Sequence, residues 1–252
     1  RLSRIGEFRA SSLSDDELRM KYFGGRGNAK YSAGDTRGWR LHDAREALRK
    51  DHNWRENVAE CLYRPFDPRK LYYSANMVDW PRLEVMSHML AGPNVGLCTC
   101  RQTVLPTWQH VSVTNFVPDF CYVSSRTREG GYLFPLYLYV DHGDAAEDLE
   151  EMAAREEALA YGIRRRANLA AGFVEEVAGR VKLAFVGDGT GDLKKTFGPE
   201  DVFDYLYAVM HSPGYRARYA PFLRMDFPRV PVTSDRKLFA ALVGLGRRLR
   251  GL

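Results

Sequence analysis

Between Tyr63 and Tyr139 turn-forming residues cut the chain into short runs, and that spacing limits the fold more than any other feature. RKLYYS, NVGLCTCRQ, HVSVTNFV, FCYVSS and YLFPLYLYV are β-branched or aromatic segments, separated by Pro65, Pro68, Pro93, Pro106, Pro118 and the Gly130-Gly131 pair. Such runs predict short strands joined by turns. One helix is expected to interrupt them. Asp79 suits its N-cap, Pro81 its first turn, and WPRLEVMSHMLAG ends it at Gly92. Leu83, Met86, Met89 and Leu90 then share a face and would pack on the sheet, the methionines as core filler.

The flanking regions read differently. Residues 1–60 form a polar helical and loop region. SDDELRMKYF opens with acids suited to a helix N-terminus, and HDAREALRKDHNWRENVAECL continues helical periodicity. Between them FGGRGNAKYSAGDTRGW is Gly-rich and basic, a loop that offers Arg26, Lys30 and Arg37 to a phosphate or simply connects two helices. No apolar strand precedes its glycines, so it is no nucleotide-binding fingerprint. Residues 61–142 are the β-rich lobe and 143–198 a helical connector, with an acidic helix over 144–160, a helix at ANLAAGFVEEVAG and a loop at GDGTGDLKK. Residues 199–252 form a helical lobe. GPEDVFDYLYAVMHS places Val202, Phe203, Leu206, Val209 and Met210 at helical spacing behind Pro199, Glu200 and Asp201, which suit a first turn. SPGYRARYAPFL starts a second helix, the prolines of DFPRVPVTSD force an extended segment, and DRKLFAALVGLGRRLRGL closes the chain as an amphipathic helix. The fold class expected is α+β: a small mixed β-sheet lobe with packed helices, joined to the C-terminal helical lobe.

Charge is unevenly spread. Residues 144–157 hold seven acids against Arg155, whereas residues 202–252 hold nine Lys/Arg against Asp204, Asp226 and Asp235. A basic C-terminal part suits a polyanion, because neutralising phosphates releases condensed counterions, and a solvated basic surface accounts for it equally. No apolar run is long enough to span a bilayer, so no membrane contact is expected. The chain starts at Arg1 without an initiator Met, which reads as a piece of a longer polypeptide. Cys61, Cys98, Cys100 and Cys121 form no CxxC pair, and no two histidines are spaced as ligands, so reduced, buried thiols of a cytoplasmic protein are expected and no metal.

The ordered motifs carry a resemblance. The string YRPFDPRKLYYSANMVDWPRLEVMSHML from Tyr63 resembles the opening of the C-terminal specificity (target-recognition) domain of Type ISP restriction-modification enzymes. GLCTCRQ, WQHVSVTNFVPD, YLFPLYLY and EDVFDYLYAVMHSPGYRARYAPFLRMDFPRVPVTSD follow in the family's order, so the resemblance covers roughly residues 55–252. Trp80 stands where the family usually has a basic residue before its Pro-Arg pair. The resemblance implies a non-catalytic domain that recognises double-stranded DNA for an adenine methyltransferase in the same polypeptide, in phage defence. S-adenosylmethionine would sit in that attached domain and no cofactor in this one. The sequence holds no NPPY tetrapeptide, no Walker motif and no nucleophile elbow. Two other readings stay open: a domain that docks on the methyltransferase core, and a general nucleic-acid-binding module.

Sequence readers present Arg, Lys, Asn and Gln from loops or a groove-entering helix. Arg101 and Gln102, leaving a strand in CRQTVLPTWQH, are either base readers or structural and phosphate-binding, since a family-wide motif is a poor place to encode differing specificities. Ser124, Ser125, Arg126, Thr127, Arg128 and Tyr132 form a basic, hydroxyl-rich turn and are the leading direct-contact candidates. Arg216 and Arg218 alternate with Tyr215 and Tyr219, with the tyrosines as core anchors and the arginines on phosphate. The cluster Tyr63, Phe66, Tyr72 and Tyr73 is expected to be buried core rather than a stacking platform. A basic cleft between the two lobes is the expected DNA site.

Overall fold

A computed structural model describes residues 2–25, 27–122, 129–139 and 165–252. Its helices are α1 (Leu2–Ala10), α2 (Asp15–Phe23), α3 (Leu41–Lys50), α4 (Leu83–Leu90), α5 (Ala171–Val181), α6 (Pro199–His211), α7 (Pro213–Leu223) and α8 (Arg236–Arg250). Its strands are β1 (Val58–Arg64), β2 (Asp67–Tyr72), β3 (Gly96–Thr99), β4 (Val111–Thr114), β5 (Val117–Pro118), β6 (Tyr132–Pro135), β7 (Tyr137–Tyr139), β8 (Arg165–Ala167), β9 (Ala184–Phe185) and β10 (Thr196–Phe197). Helices and short strands on separate segments make this an α+β fold, as the sequence indicates.

The chain divides into two compact units, Arg1–Cys61 with Pro68–Met86, and Leu62–Asp67 with Ser87–Leu252. In the first, Ser14 caps α2: its hydroxyl accepts from the Glu17 N–H while the Glu17 carboxylate accepts from the Ser14 N–H at 2.7 Å, a reciprocal capping box. α3 buries Leu41, Ala44 and Leu48, and Leu48 packs with Trp54 and Tyr72. Helical periodicity continues past Lys50 in sequence, but the helix stops there. Asp51 adopts an extended conformation and its carboxylate accepts the Asn53 N–H, and from Val58 the chain is strand. The helix between strands is also shorter than expected. Trp80 and Arg82 take positive φ, which ordinary residues rarely adopt, so α4 begins at Leu83. Met89 is buried on it, whereas Leu83 and Leu90 are exposed, against the expectation that all four apolar residues face a sheet.

In the second unit β3 lies between β4 and β6 in an antiparallel sheet, with Cys98 opposite Ser112 on one side and Leu133 on the other. Cys98 and Cys100 are both buried, and burial pushes their thiols up to about 12 and about 11. β7 pairs with β8, so the Arg165-Arg166 run is strand, and Arg165 lies 3.9 Å above the Tyr137 ring. The acidic stretch expected to be helical over 144–160 lies outside the described residues. GDGTGDLKK is a loop, as its composition implies, wound around Asp192, whose Oδ1 accepts the N–H groups of Lys194, Lys195 and Thr196. Those three donors hold its carboxyl far below the usual carboxylate range.

The main core joins helices to sheet. Val202, Tyr205, Val209 and Met210 of α6, Phe239 and Val243 of α8, and Val177 and Val181 of α5 pack with Phe197, Trp108, Val111 and Cys100. Phe203 reaches a second cluster with Val95, Leu136 and Tyr137. The Tyr205 hydroxyl donates to the Pro231 carbonyl at 2.7 Å and the Tyr215 hydroxyl to the Arg229 carbonyl at 3.0 Å, pinning the extended proline segment across α6 and α7.

Between α6 and α8 sit two carboxylates with no solvent exposure, Asp201 and Asp204. Asp201 accepts from the Gly191 N–H (2.6 Å), the Gly198 N–H (2.8 Å) and Arg247 Nη2 (2.8 Å); Asp204 accepts from Arg250 Nε (2.8 Å) and Nη2 (3.2 Å). Removing one member leaves the others desolvated and unmatched. Asp201→Ala is therefore expected to lower the unfolding free energy by about 3 kcal/mol or more, read from the midpoint of urea denaturation followed by circular dichroism. A change below about 1 kcal/mol would show that this carboxylate does not hold the helices together.

Candidate nucleic-acid interface

β3 ends at Thr99, and the next residues turn across the sheet edge: Cys100 goes into the core while Arg101 and Gln102 are exposed. Thr103 is buried again, its N–H donating to the Arg224 carbonyl at 3.1 Å and its hydroxyl to Glu129 Oε1 at 2.8 Å. The Val104 N–H also donates to Glu129 Oε1 (2.9 Å), and the Leu105 N–H to the Thr103 hydroxyl (3.1 Å). A single buried carboxylate thus gathers the donors of residues 103–104 and fixes the turn that presents Arg101 and Gln102. Its charge also reaches Cys100, whose thiol burial and Glu129 both push up, and His110, which burial pulls below the usual imidazole range despite Glu129.

These groups form a cleft of about 750 Å³, lined by Arg101, Gln102, Phe120, Glu129, Tyr132 and Arg224 among others. Phe120 lies against Gly130, where an added Cβ would come within 2.3 Å of its ring, so only glycine lets this ring approach the chain. Opposite, residues 224–227 lie along the outer face of β6. The Phe227 ring meets Tyr132 and Phe134 edge-on, with centroids 5.0 and 5.5 Å apart. Asp226 hydrogen-bonds Arg101 Nε at 3.3 Å and accepts the Phe227 N–H at 2.9 Å; that N–H and the Arg101 charge hold its carboxyl below the usual range.

The structure therefore brings Arg101, Gln102 and Tyr132 to one cleft and adds Arg224 to it, with Asp226 bonded to Arg101 at its margin; no local pattern in the sequence distinguishes the last two. Arg216 is elsewhere: its Nε donates to the Met210 carbonyl at 2.7 Å, its guanidinium lies 5.5 Å from the buried Trp108 ring, and burial lowers its pKa. Arg218 is exposed and sits 5.8 Å from the Tyr219 ring, beyond the residues lining the cleft. Ser124, Ser125, Arg126, Thr127 and Arg128 lie outside the described residues. Of the aromatic cluster expected in the core, Tyr72 and Tyr73 are buried, but Phe66 is 96% exposed, with φ of +61° in the turn between β1 and β2. A second depression, about 660 Å³ and mainly apolar, runs along Tyr219, Phe222, Phe227 and Val230.

The family model described as the Type ISP C-terminal specificity domain matches residues 3–252, which extends the likeness over the N-terminal residues that precede the motifs. Among solved structures, the chain is similar over 99% of its length to one in a DrdV–DNA complex, at 23% identity and a TM-score of 0.58. It is similar over 100% of its length to the ATP-dependent Type ISP restriction-modification enzyme LlaBIII bound to DNA, at 17% identity and a TM-score of 0.58. Such identities establish a shared fold. The chain covers 20% and 14% of those two chains. No curated protein sequence matches it.

Because Glu129 organises the turn at the cleft, Glu129→Ala is expected to cost about 1–3 kcal/mol of stability, measured by denaturant unfolding. Backbone amide exchange at Val104 and Leu105 should accelerate with it. Unchanged protection there would mean that the turn holds without the carboxylate.

Proposed function

The chain belongs to the Type ISP C-terminal specificity domain family, and from that membership we propose that it recognises double-stranded DNA sequence-specifically through the cleft of Arg101, Gln102, Tyr132 and Arg224. The observation that carries this reading is that the family motif CRQ, the exposed rim of β6 and a basic residue of the distant 224–227 segment converge on one cleft. Two guanidinium groups supply bidentate donors for phosphate or guanine, and the Gln102 amide offers the donor–acceptor pair that suits adenine. Loops mounted on a packed sheet and helices are where such readers belong, since the scaffold fixes the side chains while the loops vary.

In this reading the domain is non-catalytic. It places DNA for an adenine methyltransferase in the same polypeptide, which would bind S-adenosylmethionine itself. Ser124, Ser125, Arg126, Thr127 and Arg128 remain proposed contacts alongside Tyr132, and Arg216 and Arg218 proposed phosphate contacts. The alternative, that the domain mainly docks on the methyltransferase core, draws its support from the apolar groove at Tyr219, Phe222 and Phe227.

Fluorescence anisotropy with labelled duplexes separates the two. A DNA reader binds duplex with affinity that falls steeply with salt, and an Arg on phosphate contributes about 0.9 to the slope of log K against log salt. Arg224→Ala is expected to weaken all duplexes alike, whereas Gln102→Ala should cost about 1–3 kcal/mol chiefly on the preferred site, found by selection from a random pool. Absence of duplex affinity at low salt would sink the DNA reading in favour of docking.

A further inference from the structure

We propose that Asp226 is a positioning residue that presents the Arg101 guanidinium, edge outward, to a planar pair of acceptors on DNA; this rests on the reading of the cleft given above. The hydrogen bond to Asp226 is made through Nε at 3.3 Å, the inner edge of the guanidinium, so the Nη1/Nη2 edge is not used by it. A carboxylate on Nε fixes the plane of the group and leaves a fork that matches the O6/N7 edge of guanine or two oxygens of a phosphate.

The carboxylate is itself held. Oδ1 takes the Phe227 N–H at 2.9 Å, and Oδ2 lies 4.0 Å from Arg229 Nη2. The Phe227 ring is seated edge-on against Tyr132 and Phe134 of β6, and the Thr103 N–H ties the Arg101 turn to the Arg224 carbonyl two residues before Asp226. Both partners of the pair are thus anchored to the same sheet from segments 125 residues apart. Yet the pair is open to solvent, with side chains 62% and 50% exposed, so as a stability device it contributes little. An exposed carboxylate beside a DNA site also repels phosphate, and its placement is accounted for by what it does to Arg101.

The two effects have opposite signs, which makes the test decisive. If Asp226 only adds negative charge, Asp226→Ala tightens DNA binding. If it positions Arg101, Asp226→Ala, which removes the acceptor on Nε, weakens binding about 3- to 10-fold although a negative charge is lost, and Arg101→Ala weakens it about tenfold or more. In the Arg101→Ala background Asp226→Ala should then have no further weakening effect, because the group it orients is gone. Anisotropy titrations of the parent, both single variants and the double variant on one selected duplex give the cycle, with thermal unfolding confirming that each variant folds.

Duplexes carrying 7-deazaguanine, or a neutral methylphosphonate at single positions, identify the acceptor: the modification that removes the effect of Arg101→Ala marks guanine or phosphate respectively. Tighter or unchanged binding by Asp226→Ala, or additive losses in the double variant, overturns the positioning role while leaving DNA recognition intact. No binding by the parent protein overturns both.

Discussion

Two carboxylates without solvent exposure, Asp201 and Asp204 of α6, organise the larger unit. A buried carboxylate is tolerable only where donors replace the lost water, and here they come from two places in the chain: the 189–198 loop through the N–H groups of Gly191 and Gly198, and the last helix through Arg247 and Arg250. Burial still pushes Asp204 above its usual range, against the pull of the Arg250 and Arg247 charges, so the cost of desolvation is not wholly offset. What the arrangement achieves is placement. α8 approaches α6 so closely at Gly246 that a Cβ there would lie 1.8 Å from the Asp204 carbonyl oxygen, and no other residue could keep that distance.

From that contact the rest of the unit is built outward. With α8 seated, Phe239 packs on Phe197 and Tyr205, and the Tyr205 hydroxyl pins the proline segment at Pro231. The same segment, a few residues earlier, carries Phe227 onto β6 and Asp226 onto Arg101. The opposite face of α6 packs on β4, and Phe203 fills the space between Val95 and Tyr137. The cleft therefore rests on a continuous line of packed groups, and its side chains are held by loops whose ends cannot drift.

The strand-rich centre and the helical C-terminal part are both legible in sequence, because proline spacing, caps and 3.6-residue periodicity act within a few residues. Pro199 at the start of α6 and the Gly-rich loop before that helix are both of this kind. The same local reading places Asp201 as an ordinary first-turn acid, and there it falls short, since its role depends on Arg247, 46 positions later. It also extends α3 beyond Lys50, where the chain instead leaves helix at Asp51 and enters β1; strand pairing overrides helix propensity. Phe66 shows the reverse error: apolar character alone suggests the core, but a turn residue at positive φ points to solvent.

Sequence by itself determined the α+β class, the order of most elements and the family, and it singled out Arg101, Gln102 and Tyr132 as candidate contacts. Only the tertiary structure decided that these three share a cleft with Arg224, that Arg101 donates to Asp226, that Glu129 holds the turn, and that the Arg216 guanidinium lies near the Trp108 ring. The reason is range. Caps and periodicity are written within one turn or one strand, whereas a contact between residues 125 positions apart exists only once the core has fixed where both segments run.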